Sequence, residues 1–345
     1  MAETTTQEVV YHKKMIKELK GVKIHSKILN LDFTAYVQDE SCPTQQRCHI
    51  LTLHDVGCDH TSFQELIACP EMAELKNRII WIHVDLPGQE PNAEDIPKAS
   101  YPSLQELAQE LILVLNHFNL HEVTVLGEGA GANIAARFAI QYPNRCLGLG
   151  LIHPTGATAS FFQIFKEKVN HLLEPPRTNH MNTSDEAYLI WHHFGHGNQN
   201  DHLVQANIKD FRDQLYHNRN TKNLALFIES FLNRTNIIDK LGELTVDVLI
   251  VVGKKASAES ECKNFYRGLY ESRKSDLKKL ANSALLEVDN VADVMGENPD
   301  KLALALQFFL QGIGLLPAMP MKKELKGLGR LSRAFSMEDA DKPHH

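Results

Sequence analysis

The sequence predicts an α/β protein: a doubly wound, mostly parallel sheet carrying one inserted helical segment. Three observations predict it. Short apolar runs, each stopped by Gly, Pro or polar residues, recur from Cys48 to Asn290, as expected of strands buried on both faces. A helix-periodic segment lies between two of them and a second directly follows one, and such alternation is the signature of parallel βαβ units. The alternation then breaks once, from about Thr155 to Lys240, where the chain turns helical, polar and His-rich before strands resume.

Taken in order, "CHILTLHDVG" (Cys48 to Gly57) and "RIIWIHVDLPGQ" (Arg78 to Gln89) are the first buried strands. "SLQELAQELILVLNHF" follows as a helix. Ser103 and Glu106 are spaced as a capping box, and Leu104, Leu107, Leu111, Val114, Leu115 and Phe118 share one stripe. "EVTVLGEG" (Glu122 to Gly129) is a strand running through a glycine-rich turn into the helix "AGANIAARFAIQYP". "CLGLGLIHP" (Cys146 to Pro154), "VDVLIVVGKK" (Val246 to Lys255) and "ALLEVDN" (Ala284 to Asn290) supply the remaining strands, and a closing helix spans Asn298 to Gln311. The expected division is an N-terminal segment 1–20, a core of 21–154 and 241–316, a helical cap 155–240, and a basic, disordered tail 317–345, rich in Gly and charge with little apolar bulk.

Composition excludes several classes of function. A chain of 345 residues with 43% hydrophobic residues is long enough to bury a large core. Net charge is −7, which provides no general basic field for nucleic acid. No apolar run approaches the roughly 20 residues that span a bilayer, and "MAETTTQEVVYHKK" lacks the apolar region of a secretory signal. The expected location is the cytoplasm. Six cysteines lie scattered with no C-x-x-C pair, so reduced thiols are expected, and neither a disulfide framework nor a zinc ribbon.

The strand–turn–helix at Val123 to Pro143 has the form of a nucleophile elbow. In an α/β-hydrolase, G-x-S-x-G bends sharply so that the central side chain stands above the sheet. Here the five residues are Gly127, Glu128, Gly129, Ala130 and Gly131, and the nucleophile position, Gly129, has no side chain. Glu128, one step along the turn, is expected to be a solvated or hydrogen-bonded carboxylate favoured by the helix dipole. No histidine lies between His217 and His344, and Val291 and Ala292 stand where a general base would follow the last strand. The orienting acid would follow "VDVLIVVG", yet Lys254, Lys255 and Ala256 come first and the first carboxylate is Glu259. Nucleophile, base and acid are missing together, so no catalysis is expected.

The chain resembles the N-myc downstream-regulated (NDRG) family. The resemblance runs from about Leu51 to Ser336 and is carried by "LHDVGCDHTSF", "HVDLPGQE", "YPSLQELA", "LGEGAGANIAARFA", "LGLGLIHPTGA", "VLIVVG" and "FLQGIGLLPAMPMKKELKGLGRLSRAFS" in that order. Two features depart from the family pattern: Lys254 stands where an acid is usual, and the family's Ser/Thr-rich tail is often longer. The resemblance implies an α/β-hydrolase-like fold without a triad. It also implies a cytoplasmic protein acting in signalling, stress response, growth or differentiation through protein or lipid contacts, with phosphorylation in an Arg/Ser-rich tail.

From Pro317 to Phe335 five basic residues, Lys322, Lys323, Lys326, Arg330 and Arg333, face one acid, Glu324, a local charge of +4. Leu325, Leu328, Leu331 and Phe335 recur at roughly helical spacing, so the tail is expected to contact an anionic membrane or a partner protein. Arg330 and Arg333 upstream of Ser336 fit a basophilic kinase; Ser336 is the first candidate phosphosite and Ser332 the second. The remaining patterns predict structure. His192, His193 and His196 have chelating spacing, but Gly195 and Gly197 weaken the helix and no acid precedes Asp201, so a polar cap surface is expected and no metal. Gly127, Gly129 and Ala132 match the dinucleotide fingerprint G-x-G-x-x-A, but His153 and Pro154 stand where a ribose-binding acid would follow, so no cofactor is expected. Asp55 in "LHDVG" replaces the usual glycine of the oxyanion-hole loop, where a negative side chain opposes a developing oxyanion. His54, His83 and Asp85 are expected at strand ends in structural roles. An unorthodox hydrolase, or a small-ligand sensor using a vacant pocket, are the alternatives.

Overall fold

The computed structural model describes residues 19–41, 47–157, 183–197, 201–276, 283–316 and 332–333. The strands among them are β1 (Gly21–Ser26), β2 (Leu31–Asp39), β3 (Cys48–Leu53), β4 (Ile79–Asp85), β5 (Val123–Glu128), β6 (Cys146–Ile152), β7 (Asp247–Gly253), β8 (Ser283–Val288) and β9 (Ser332–Arg333). They form one sheet in the order β1-β2-β4-β3-β5-β6-β7-β8-β9. The pairs from β4 through β8 are parallel, while β2 runs antiparallel to both its neighbours. Every strand read from the apolar runs is present. The β1–β2 hairpin adds two that those runs did not signal, because "GVKIHS" and "LDFTAYVQD" mix buried and exposed positions at the sheet edge.

Helices cover both faces: α1 (Gln64–Ala68), α2 (Ala73–Lys76), α3 (Leu104–Glu110), α4 (Ile112–His117), α5 (Ala130–Gln141), α6 (Thr183–Phe194), α7 (His202–Asn218), α8 (Thr221–Leu232), α9 (Glu259–Arg273), α10 (Val294–Glu297) and α11 (Pro299–Gly312). One core, on Phe33, Leu53, Leu107, Phe138 and Phe227, fills one side of the sheet; a second, on Phe63, Trp81, Leu286 and Leu306, fills the other. The Ser103–Glu106 capping box is present at the start of α3. The single helix expected from Ser103 to Phe118 is divided at Leu111 into α3 and α4.

Between β6 and β7 the chain leaves the sheet and returns through α6, α7 and α8. A buried ion pair between Arg219 and Asp59 joins this insertion to the loop after β3. The Asn223 amide nitrogen donates to the carbonyls of Gly88 (3.2 Å) and Glu94 (2.7 Å), and its oxygen accepts from the amide of Ile96 (2.8 Å). Of the tail residues named above, Lys322, Lys323, Lys326, Arg330 and Ser336 lie outside the described residues. The backbones of Ser332 and Arg333 pair as β9 with Leu285 and Ala284 of β8, where the sequence reading expected a tail without structure.

Candidate functional site

Strand register brings two loops level. Leu53 at the end of β3 pairs with Gly127 of β5, so Asp55, two residues on, comes abreast of Gly129. Gly129 has φ +50° and ψ −109°, the sharp turn of an elbow. Its neighbours must be small: a Cβ on Gly131 would lie 2.1 Å from the Leu53 carbonyl oxygen, and one on Gly127 2.5 Å from that of Gly131. A Cβ on Gly129 would lie 2.0 Å from Asp55 Oδ2. The place of a nucleophile side chain is therefore taken by the carboxylate of Asp55.

That carboxylate is fully engaged. Asp55 Oδ1 accepts from the amides of Val56 and Ala130, both at 2.7 Å, and Oδ2 accepts from His192 Nε2 at 2.7 Å. The amide after the nucleophile position and one from the loop after β3 are the two that stabilise an oxyanion in this fold. Here a side-chain anion of the protein itself holds that hole. Burial alone would raise the Asp55 pKa, but His192, then His193 and the Ala130 amide, outweigh it and hold the carboxyl far below the usual carboxylate range.

His192 corrects the sequence reading. It was expected on a polar cap surface with His193 and His196, yet the side chains of His192 and Asp55 are only 5% and 4% exposed. The His192 ring stacks on Tyr188 and meets Phe231 edge-on. The signal was the i, i+4 pairing of Tyr188 with His192 on the face of α6 that packs inward, masked by the glycines that follow. Gly195 itself has φ +45°, and the His196 amide donates to the Lys255 carbonyl at 2.7 Å, clasping the end of α6 to the loop after β7. Ser257 Oγ completes the clasp by donating to the His192 carbonyl at 2.7 Å. His193 Nε2 donates to the Val56 carbonyl at 2.7 Å. The chelating spacing of the three histidines is thus spent on separate contacts, and they form no metal cluster among the described residues.

Glu128 also differs from expectation. It is buried at the end of β5, 4% exposed, with no hydrogen bond to its carboxyl from the described residues. Burial, then the charges of Asp293 and Asp55, push its pKa well above the carboxylate range, so it is a neutral acid and not a solvated carboxylate. Asp293 is raised by burial as well, and it caps α10 by accepting from the Gly296 amide at 3.0 Å.

No titratable group here is poised for acid–base work. His54 donates from Nδ1 to the Asp55 carbonyl (2.8 Å) and accepts at Nε2 from the Leu86 amide (3.2 Å); burial lowers its pKa. His153, in a left-handed conformation at φ +50°, accepts at Nε2 from the Gly253 amide, and burial pushes its pKa down to about 4. His83 bonds Thr52, and Asp85 accepts from the backbone and ring nitrogens of His60. Cys58 Sγ lies 3.8 Å from His193 Nε2, the outline of a Cys–His dyad. Burial, then Glu128 and Asp55, raise its thiol pKa well above the usual value, opposite to what a nucleophilic cysteine needs. At the position of the acid after β7, Lys254 pairs on the surface with Asp289 at 2.8 Å. After β8, Val291 and Ala292 pack inward where a general base would stand.

The Ndr family model matches residues 32–317. The chain belongs to the Ndr family. An uncharacterized protein of Caenorhabditis elegans is 36% identical over 317 residues, covering 89% of each chain. Human NDRG2 is 30% identical over 304 residues, 85% of this chain and 74% of its own. Solved structures show the same architecture: an esterase from Thermogutta terrifontis superposes with a TM-score of 0.63 at 18% identity, covering 85% of this chain and 99% of its own. An enol-lactonase from Burkholderia xenovorans superposes with a TM-score of 0.62 at 13% identity, covering 81% and 97%. At such identities these likenesses speak for the α/β-hydrolase-like fold and not for its chemistry. Among the described residues of this Ndr protein, no helix is long and apolar enough to cross a membrane.

Proposed function

We propose that this Ndr protein is a non-catalytic α/β-hydrolase-like scaffold that acts in cytoplasmic signal transduction through protein contacts. One observation carries the reading: the Asp55 carboxylate occupies the oxyanion hole beside a nucleophile position that has no side chain. A substrate carbonyl oxygen cannot enter a hole already holding an anion, and a tetrahedral oxyanion there would meet like charge at bonding distance. The depressed pKa of Asp55 keeps that anion in place across the physiological range. Neither the Cys58–His193 pair nor Glu128 offers a second nucleophile, since both thiol and carboxyl are held protonated.

In this reading the basic tail is the regulated element. Lys322, Lys323, Lys326, Arg330 and Arg333 meet anionic lipid or an acidic partner surface, each basic residue contributing about 1 kcal/mol near an anionic membrane. Phosphorylation of Ser336, and secondarily Ser332, by a basophilic kinase adds about −1.5 to −2 charges and opposes that contact.

The test has two arms on the full chain. Short-chain ester hydrolysis and fluorophosphonate labelling are expected to give no signal; turnover that disappears on Asp55→Asn would overturn the non-catalytic reading. Binding to vesicles containing phosphatidylserine is expected to fall on removal of 317–345 and on Ser336→Glu. Unchanged binding in both refutes the role of the tail.

A further inference from the structure

On the face of the sheet opposite the elbow, three unlike donors converge. Cys69 follows α1 and opens the short 3-10 turn Pro70–Met72, so Glu71 comes two residues later on the same loop. Asp300 lies in the first turn of α11, which packs against that turn. The Cys69 sulfur and one carboxylate oxygen each from Glu71 and Asp300 all lie within 4.8 Å of one another. We propose that Cys69, Glu71 and Asp300 form a binding site for a divalent cation of the zinc class.

Two observations separate this group from an ordinary acidic patch. Cys69 is 7% exposed, and no side chain among the described residues hydrogen-bonds its sulfur; only the backbone amides of Met72 and Glu71 face it, as amides support a thiolate. Glu71 Oε2 is likewise buried and has no hydrogen-bond partner. Unfilled lone pairs on a buried sulfur and a buried oxygen, aimed at one point, are what a cation would satisfy. The carboxyls of Glu71 and Asp300 stand so close that burial and Glu71 push the Asp300 pKa up to about 6, so a proton now sits where a metal would replace it.

The second cluster of potential ligands makes the contrast. Asp59, His60 and Asp85 are equally close together, but Arg219 pairs with Asp59, and Asp85 already accepts twice from His60. A cation there would compete with a buried guanidinium.

The donor set fits the ion. A thiolate with two carboxylates suits zinc better than magnesium or calcium, which take oxygen alone. Zinc bonds of about 2.3 Å to sulfur and 2.0–2.2 Å to oxygen place neighbouring ligand atoms roughly 3.5 Å apart, so modest closure completes three corners of a tetrahedron. Asp300 is exposed, which leaves the fourth corner to water. Binding displaces the thiol proton and the shared carboxyl proton, and it pins the Cys69–Met72 turn to the start of α11.

Cobalt(II) titration of the full chain, kept reduced by a phosphine, reads the site directly. The expected result is a near-ultraviolet sulfur-to-cobalt charge-transfer band with tetrahedral visible bands, displaced by zinc. Cys69→Ser should abolish the charge-transfer band. Asp300→Asn, at an exposed position that folding does not depend on, should weaken cobalt at least about tenfold, the least that loss of even an outer-shell partner commonly costs. No charge-transfer band, a band that survives Cys69→Ser, or an affinity untouched by Asp300→Asn would each overturn the proposal.

Discussion

Asp55→Ala tests whether the filled oxyanion hole is a structural keystone. Removing the carboxylate leaves three donors without their acceptor: the amides of Val56 and Ala130 and Nε2 of His192, all 2.7 Å from it. Each buried donor left unpaired costs about 1–3 kcal/mol, and breaking a buried ion pair by removing one partner costs about 3–5 kcal/mol. Water entering the space recovers part of the larger sum, so the expected loss is about 3–5 kcal/mol. That is a large share of the roughly 5–15 kcal/mol that holds a folded domain together. Equilibrium unfolding in urea, compared at equal m, measures it. Asp55→Asn keeps an acceptor for both amides and loses only the charge, so it should fall between wild type and Asp55→Ala. The pH dependence follows from the depressed Asp55 pKa. A carboxyl held below its unfolded value of about 3.9 contributes stability that is full above that value and is lost as pH falls through the folded pKa. The gap between wild type and Asp55→Asn should therefore hold above about pH 4 and shrink below it. An Asp55→Ala protein within about 0.5 kcal/mol of wild type would refute the argument.

Glu128 has the opposite sign. Its folded pKa is raised, so its cost to stability is absent below the unfolded value of about 4.3 and grows as pH rises above it. Glu128→Gln should melt above wild type at pH 7 and level with it near pH 4; no gain at pH 7 counts against a neutral buried acid. Gly129→Ala should destabilise because its Cβ meets Asp55, and combining it with Asp55→Ala should cost at least about 1 kcal/mol less than the sum of the two; additivity in urea unfolding would show that the collision is not the cause. Arg219→Met strands Asp59 and should cost about 3–5 kcal/mol, while Arg219→Met with Asp59→Leu should recover much of it. Ser103→Ala should cost about 1 kcal/mol through the lost cap, read as a lower urea midpoint.

The order of strands and the shape of the elbow were legible because both are written in local pattern. Apolar runs such as "VLIVVG" mark buried strands wherever they lie, and Gly127, Gly129 and Gly131 permit a turn that larger residues would block. Asp55 was legible as a departure from the oxyanion-loop glycine but not as its occupant, because that role depends on the pairing of Leu53 with Gly127, a register no single segment states. His192 was misread for a related reason. Its partner lies 137 residues away, and its neighbourhood, "WHHFGHGNQNDH", is polar enough to pass for surface. Glu128 was read from the helix that follows it, whereas its place is the last position of a buried strand, where the dipole argument loses to desolvation.

The loss of chemistry and the presence of Asp55 are two sides of one arrangement. An elbow at φ +50° fixes the Ala130 amide toward a point above the sheet, and the loop after β3 adds the Val56 amide. Those donors need an acceptor whether or not a reaction occurs there, since buried amides are seldom left unpaired. In a hydrolase, water or substrate oxygen supplies it. Here Asp55 supplies it permanently, and an apolar plug of the same size would have left both amides stranded. The carboxylate in turn needs a counterpart, which His192 brings from α6, so the same group that closes the hole also ties the helical insertion to the sheet. Gly129 completes the circle, because with the Asp55 oxygen 2.0 Å from any Cβ only a residue without one fits. Restoring a nucleophile therefore requires at least two changes, at Gly129 and at Asp55, and the second loosens the insertion. Gly129→Ser alone should remain inert and less stable than wild type, and measurable esterase activity in that single variant would break the argument.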